Sequence, residues 1–478
     1  MMKKNIYLLG FLALLMSFVS CKKFLTVKPA TQLTEEDAFA SEAGFQQALN
    51  GIYAQAASRS LYGDNLTMGF VSALEQDYLL TATGATHREA KTFSYTAAAV
   101  MSTTNSIWTS GYNLIAGANK IISFTESKRS LLSNTSYATI RGEALGMRAL
   151  MHFDLLRLFG PEYTAGENKK AIPYVDKVSQ LPLPAVTTKV LIDKVLADLA
   201  EAATLLKAAD PIVTNTKARK SVMNYYAVKA LEARIRMYVG DRTGARTAAL
   251  EVVSSGKFPF VTSTAASAAA GSRDRLYLPE LVLMFRVRDI ASWADNGTST
   301  YFRYFTTIND KFTTSQANFN SLYETASGGA TDLRYLYRVE LDGGFQFPSK
   351  YWQTNSVTIA NTLDTNRLSQ LVPVIRLSEM NYILAETAGT VSEGIGYLNA
   401  VRQVRGLPAL ATTGTASYLE AEIQKEYRKD LYAEGQLFYY YKRKNVMRMQ
   451  FMTADIPSLA IYTLPIPLLE LEYNPTYK

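Results

Sequence analysis

The side chains of this chain best placed to do chemistry are aromatic. Trp293 stands in RDIASWADNG, Tyr301, Tyr304 and Phe305 in TYFRYF, and Trp352 in FQFPSKYWQ. An aromatic face stacks on the apolar face of a sugar ring or on a peptide side chain, and neighbouring Asp, Asn and Arg add directed polar contacts. The same rings could instead pack inward against a scaffold. Trp108 shares a helical face with Tyr112 and Ile115 and is expected in the core. Covalent chemistry is poorly served. There is no G-x-S-x-G elbow, no G-x-x-x-x-G-K-[ST] loop, no G-x-G-x-x-G and no H-E-x-x-H. A Ser-His-Asp triad would need His87 or His152. His152 lies one turn from Arg148 in a strongly apolar stretch and is expected to be structural. His87, in TATGATHREAKTF, is expected to be a solvated loop residue. Paired carboxylates could make a glycosidase, but any chain with 42 acids offers candidate pairs.

One Cys and two separated His cannot build a four-ligand Cys/His zinc site or an internal disulfide. No metal and no cofactor is implied. Apolar residues make up 48% and charged residues 19% of the 478, enough for a large core and too apolar for wholesale disorder. The net charge of +8 is spread along the chain and does not point to nucleic acid.

That single Cys has a telling position. Residues 1–21 read MMKKNIYLLGFLALLMSFVSC: a basic start at Lys3 and Lys4, an apolar run from Ile6 to Met16, then small residues up to Cys21. The pattern is a secretory leader, too short and wrongly flanked for a spanning helix. Cys21 sits where cleavage should fall. We read it as the lipid-modified first residue of a bacterial lipoprotein, with residues 1–20 as signal peptide and 21–33 as a lipidated tether. An ordinary signal peptide with an incidental Cys is the alternative.

The elements that must position the aromatics are mostly helical. Thr34 followed by Glu35, Glu36 and Asp37 is a capped helix start, and apolar spacing carries that helix to about residue 57. Helical patterns follow at 105–126, 136–159 (apolar nearly all round, so central), 187–207, 220–239, 242–255 and 417–444. Residues 60–100 read as irregular, and 258–375 as long loops with short strands such as LVLMFRV at 281–287. The tail 460–478 reads as extended. The 220–239 and 242–255 pair ends its first helix at Gly240-Asp241 and carries small Ala230, Ala233, Ala245 and Ala248. At about 34 residues it has the period of a tetratricopeptide repeat. A similar unit runs from Leu377 to Pro408. The expected fold is mainly α: a tetratricopeptide-like helical repeat scaffold with long irregular loops and a few short strands. Within one domain, 34–478, we place a helical part at 34–257, a loop-rich insertion at 258–375, and a repeat with its tail at 376–478.

Several segments resemble a single family. CKKFLTVKPATQLTEEDAFASEAGFQQALNGIY is similar to the mature N-terminus of the SusD/RagB outer-membrane lipoproteins of Bacteroidetes. RGEALGMRALMHFDLLRLFGP resembles their E-A-x-x-x-R-A-x-x-x-F-D-L-x-R-x-F/Y-G helix. PVIRLSEMNYILAE, LNAVRQVRGLP, EYRKDLYAEGQLFYYYKR and LPIPLLELEYNP resemble later family segments in order. Two departures stand out. Tyr439-Tyr440-Tyr441-Lys442-Arg443 replaces the usual aromatic and D-L-x-R. The residues after Cys21 also lack the acidic cluster often linked to surface export in this phylum.

The resemblance implies a protein without covalent chemistry, anchored in the outer membrane and facing outward. It would capture an oligosaccharide, or a peptide, and hand it to a SusC-like TonB-dependent transporter on which it acts as a lid. A lid with no ligand site of its own, and a lipoprotein glycoside hydrolase, are the alternatives. The resemblance also implies a ligand surface on irregular insertions, here chiefly 60–95 and 289–352. The residues nominated there are Asp77, Tyr78, Trp293, Tyr301, Arg303 and Trp352, the rings to stack and Asp77 and Arg303 to orient.

Overall fold

Side-chain caps and apolar spacing together fix the helices of the computed structural model. It describes residues 34–179, 181–214, 219–288, 290–294, 301–303, 307–352 and 370–477. Cys21, the leader and the tether to residue 33 lie outside these, as do Tyr304 and Phe305. In helix α1 (Glu42–Ala56) the Ser41 hydroxyl accepts the Gly44 N–H, and Phe45, Leu49, Ile52 and Ala56 form the buried face. Helix α2 (Ala98–Ser127) begins earlier than the expected residue 105, because Val100 and Thr104 continue its inward stripe. Helix α3 (Asn134–Phe159) is buried at every residue from Gly142 to Phe159 and lies between α2 and α4 (Thr188–Ala209).

Full burial of α3 obliges each of its polar groups to find a partner. Arg148 forks onto Asp198 with Nε and Nη2, at 2.8 and 2.6 Å. Asp154 accepts from Tyr62 Oη at 2.6 Å and pairs with Arg157. His152 takes the Val175 N–H on Nε2 at 3.0 Å and lies 3.0 Å from the Arg148 carbonyl through Nδ1. Burial and the Arg148 charge lower its pKa to about 3, so it is a neutral structural imidazole.

A short hairpin of β1 (Lys170–Pro173) and β2 (Ala185–Thr187) leads into α4. The repeat pair follows as α5 (Tyr225–Tyr238) and α6 (Arg242–Ser254). Asn224 caps α5, which moves its start in from the expected residue 220. Gly240, at φ +82°, makes the tight turn between the two helices. Ala230, Ala233, Ala245 and Ala248 are all buried, as close helix packing requires. Next come β3 (Leu281–Arg286), α7 (Leu333–Arg338), the hairpin β4 (Val339–Asp342) and β5 (Phe345–Pro348), and β6 (Leu371–Arg376). Strands β3 and β6 pair antiparallel, with Phe285 opposite Val372. The second repeat pair is α8 (Leu377–Glu386) and α9 (Val391–Val404). Helix α8 packs on α6, and α10 (Ala416–Leu431) packs on α8 and α9, which continues the stack. The chain is mainly helical, with few short strands, as its periodicity implies.

Three expectations are corrected. The helix expected from Thr34 to about residue 57 is two, Glu35–Ala38 and then α1, because Ser41 takes an extended conformation and caps a new start. The helix expected over 417–444 is broken into α10 and α11 (Leu437–Lys444). The tail expected to be extended carries a short helix, α12 (Leu468–Tyr473). The break has a clear cause. Ala433 and Gly435 take φ of +60° and +69°, and a Cβ on Gly435 would lie 2.4 Å from the Leu66 carbonyl oxygen. The segment around 72–77 holds this turn. Asp77 Oδ2 accepts the Ala433 N–H at 2.7 Å, Glu75 Oε1 the Phe438 N–H at 2.9 Å, and Ser72 Oγ the Gly435 N–H at 3.1 Å.

Glu75 and Asp77 are both buried and adjacent. Burial pushes Asp77 up to about 7, and burial together with the Asp77 charge pushes Glu75 well above the usual carboxylate range. A carboxyl raised in the folded state keeps a proton that the unfolded chain releases. Its stabilising contribution is complete below about pH 4 and is lost as pH rises towards 7. Asp77→Asn preserves an acceptor for Ala433 and abolishes this titration. Denaturant unfolding between pH 4 and 7 should show a shallower loss of stability in the variant than in the wild type. The difference in slope is bounded by about 1.4 kcal/mol per pH unit for one proton. Identical slopes would contradict the assignment.

Candidate functional site

The loops nominated by sequence assemble into one layer through backbone pairing. The Leu79 N–H donates to the Thr313 carbonyl at 2.8 Å and the Ala82 N–H to Asn309 at 3.0 Å. The Phe312 N–H donates to Tyr301 at 2.6 Å, and the Tyr301 N–H to Trp293 at 3.3 Å. Segments far apart in the chain thus lie side by side, and Thr313 Oγ1 ties them to β5 by donating to the Gln346 carbonyl at 2.6 Å.

Rings pile up across this layer. Tyr78 stacks on Phe312 at 4.7 Å and 8°, and Phe312 stacks on Tyr301 at 4.0 Å and 28°. Tyr78 is the buried base of the pile, with its Oη donating to the Met68 carbonyl at 2.7 Å. Tyr301 is the half-buried outer ring. Arg59 and Asp64 fix its tip. Arg59 Nη2 donates to Tyr301 Oη at 2.7 Å and to Asp64 Oδ2 at 3.0 Å, while Tyr301 Oη donates to the same Oδ2 at 3.2 Å. The Arg59 side chain remains 54% exposed. Burial raises the Asp64 carboxyl to about 6 against the opposing pull of Arg59.

The two nominated tryptophans are less open than expected, at 7% exposure for Trp293 and 8% for Trp352. A guanidinium lies over each: Arg59 at 4.9 Å from the Trp293 centroid, and Arg303 at 3.9 Å from Trp352. Cation–π attraction accounts for both arrangements. Both indole Nε1 groups are buried and find no hydrogen-bond partner among the described residues. Arg303 is half-buried. Tyr301 and Arg303 flank Phe302, which is buried against Phe312 and Tyr351.

The nominated residues therefore gather around one layer, but in two tiers. Tyr301 and Arg303 are at its accessible side, with Trp293 and Trp352 beneath guanidiniums. Asp77 and Tyr78, expected to face a ligand, are interior supports, at 1% exposure each. The reason is chemical: Asp77 is spent on the Ala433 turn, and Tyr78 on the ring pile. Sequence reasoning missed Arg59 and Asp64, because a charged pair in an irregular segment has no periodicity to expose it. His87 is not a freely solvated loop residue. It takes φ +63°, its ring lies 5.7 Å from Phe70 and 6.0 Å from Phe312, and burial with the Arg59 charge lowers it to about 4. Beside it opens a cleft of about 340 Å³ bounded by Phe70, Gly84, His87, Glu89, Val100 and Thr103. Among the described residues no group of acidic, His and Cys side chains is arranged to hold a metal ion. The layer offers guanidinium donors and a phenol at its accessible side, a set suited to hydroxyl-rich or anionic ligands.

Known proteins match this chain along most of its length. Residues 23–236 match a family described as starch-binding and associating with the outer membrane, and residues 300–477 match the SusD family. SusD-like protein P2 of Formosa agariphila is 28% identical over 178 residues, 37% of this chain and 32% of that protein. The chain thus matches about a third of that relative's length. A SusD superfamily structure from Bacteroides thetaiotaomicron superposes with a TM-score of 0.68 at 21% identity, covering 91% of this chain and 98% of the other. A laminarin-binding SusD-like protein superposes with a TM-score of 0.65 at 18% identity, over 91% and 98%. These two identities speak to fold alone. The ordered motifs, the family matches and the shared architecture agree: the chain belongs to the SusD/RagB family.

Proposed function

We propose that this protein is an outer-membrane lipoprotein that captures an oligosaccharide on its loop layer and delivers it to a SusC-like TonB-dependent transporter, over which it acts as a lid. It binds its ligand without altering it. The observation that carries this reading is the paired arrangement of Arg59 with Tyr301 and Trp293, and Arg303 with Trp352, on loops outside the helical stack. Family membership and the starch-binding description of the matching family favour a glycan over a peptide. The laminarin-binding structural neighbour makes β-glucan oligosaccharides a sensible first probe beside starch oligosaccharides. Membrane attachment in this proposal comes from acyl chains on Cys21. Among the described residues, no helix is long and apolar enough to cross a membrane.

Arg59→Ala and Arg303→Ala should weaken glycan binding in calorimetric titration. A hydrogen bond from a charged donor is worth about 1.5–3 kcal/mol, so each loss is about tenfold or more. The Arg59 variant also leaves the buried Asp64 carboxyl without its cation, so it should melt at a lower temperature than the wild type, and binding is read well below that transition. Saturable binding to peptides but not glycans would move the ligand class. Unchanged glycan affinity in both variants would remove the loop layer from the site, and no ligand at all would favour a lid without its own site.

Cys21→Ala should move the protein from the membrane fraction to the soluble fraction, since anchoring by this account rests on acyl burial. A variant that stays in the membrane pellet after high-salt and carbonate washing would contradict the lipoprotein reading.

A further inference from the structure

A cavity of about 40 Å³ lies among the helices, and none of the loop-layer residues named above lines it. Among the side chains that do are Arg157 of α3, Arg234 and Tyr238 of α5, Glu379 of α8, and Tyr439, Tyr440 and Arg443 of α11. Room of that size takes an occupant like a water molecule or a halide ion and excludes a sugar.

Three polar groups on this lining find no hydrogen-bond partner among the described residues: Arg234 Nη1, Tyr238 Oη and Tyr439 Oη. Their residues are buried, at 6%, 5% and 3% exposure. Arg234 Nη1 is left over because the other guanidinium nitrogens are committed. Nε and Nη2 donate to Glu379 at 2.7 and 2.6 Å, and Nη2 also to the Val374 carbonyl at 2.8 Å. Buried polar groups are almost always satisfied, so three orphans around one cavity call for an occupant. All three can donate, so the occupant must accept.

The lining is also unbalanced in charge. It holds three guanidiniums, Arg157, Arg234 and Arg443, against one carboxylate, Glu379. Asp154 and Glu386, which pair with Arg157 and Arg443, lie outside the lining. The sequence shows where an acid is missing. In Tyr439-Tyr440-Tyr441-Lys442-Arg443, Tyr440 takes the Asp position of the aromatic-D-L-x-R pattern that this stretch replaces. A water molecule offers two lone pairs and must place two hydrogens of its own. A halide accepts from every side and supplies the negative charge that the lining lacks.

We propose that this cavity is a binding site for a small monovalent anion, chloride in ordinary solution, held by Arg234 Nη1 and the Tyr238 and Tyr439 hydroxyls. The ion joins α5 to α11. In crystals of the protein soaked in sodium bromide, anomalous scattering should place a bromide in contact with all three groups. In solution, chloride replacing gluconate at constant ionic strength should raise the melting temperature to a plateau, since an ion that binds only the folded state stabilises it. Both measurements use the unaltered chain and so do not depend on any variant folding. Tyr238→Phe and Tyr439→Phe each remove one donor. Each variant should need about tenfold more chloride for the same rise, the loss expected for one charge-assisted hydrogen bond. Water density with no anomalous peak would assign the cavity to solvent and overturn the proposal. A bromide peak without any chloride effect on melting would mean an adventitious ion only, and would overturn it too. So would a chloride response that both phenylalanine variants keep in full.

Discussion

Asp430 is fully buried among the guanidiniums of Arg334 and Arg405, 3.1 and 3.2 Å away, and accepts a hydrogen bond from Tyr382 at 2.7 Å. Burial alone would raise its pKa, but Arg405 and Arg334, with Arg376 and Arg338 behind them, drive it well below the usual carboxylate range. Each guanidinium is shared. Arg405 also forks onto Glu280 with two bonds of 2.6 Å, and Arg334 reaches Asp332 and Glu426, each at 2.8 Å. Glu426 is held at about 2, again against its own burial. Isolated charges at such depth would be prohibitive, so every member depends on the others, and removing one partner of a buried pair generally costs about 3–5 kcal/mol. The network joins the start of β3, α7, α8, α9 and α10, and so locks the second repeat to the loop-bearing half of the chain.

The loop layer depends on this network through one turn. Glu434, inside the turn between α10 and α11, pairs with Arg376 and with Lys350. Lys350 Nζ also donates to the Asp430 and Tyr432 carbonyls at 2.9 and 2.8 Å, and Tyr351 Oη to the Ala433 carbonyl at 2.9 Å. Those two residues immediately precede Trp352. From the other side, Asp77 and Glu75 hold the same turn and lead directly into Tyr78, the base of the ring pile. Buried charge thus positions both ends of the proposed ligand surface, and the outer residues remain free to differ with the ligand. Such a division suits a fold that serves many ligands, because specificity can change on loops without disturbing the scaffold.

Much of the scaffold was legible because helices announce themselves by period and caps. The pattern of α3, apolar nearly all round, marked it as central, and the small residues Ala230, Ala233 and Ala248 marked a close pair. The break at residues 432–436 was not legible, since Ala433 at φ +60° is imposed by partners more than 350 residues away in sequence, as the Ala433–Asp77 bond shows. The site was legible as a region and as a supply of rings. Which ring faces outward was not, because Tyr78 and Tyr301 have the same chemistry and differ only in what stacks upon them. Nor could sequence show that Arg59 and Arg303 would cover the tryptophans, a matter of tertiary proximity alone.

The central claim is that ligand meets the loop layer while the ionic scaffold stands apart. Amide hydrogen exchange, recorded with and without a saturating β-glucan or starch oligosaccharide, tests this directly. The account predicts added protection in peptides containing Arg59–Asp64, Trp293, Tyr301–Arg303 and Trp352, with α8, α9 and α10 unchanged. Protection centred on those helices, with the loop layer unaffected, would contradict it.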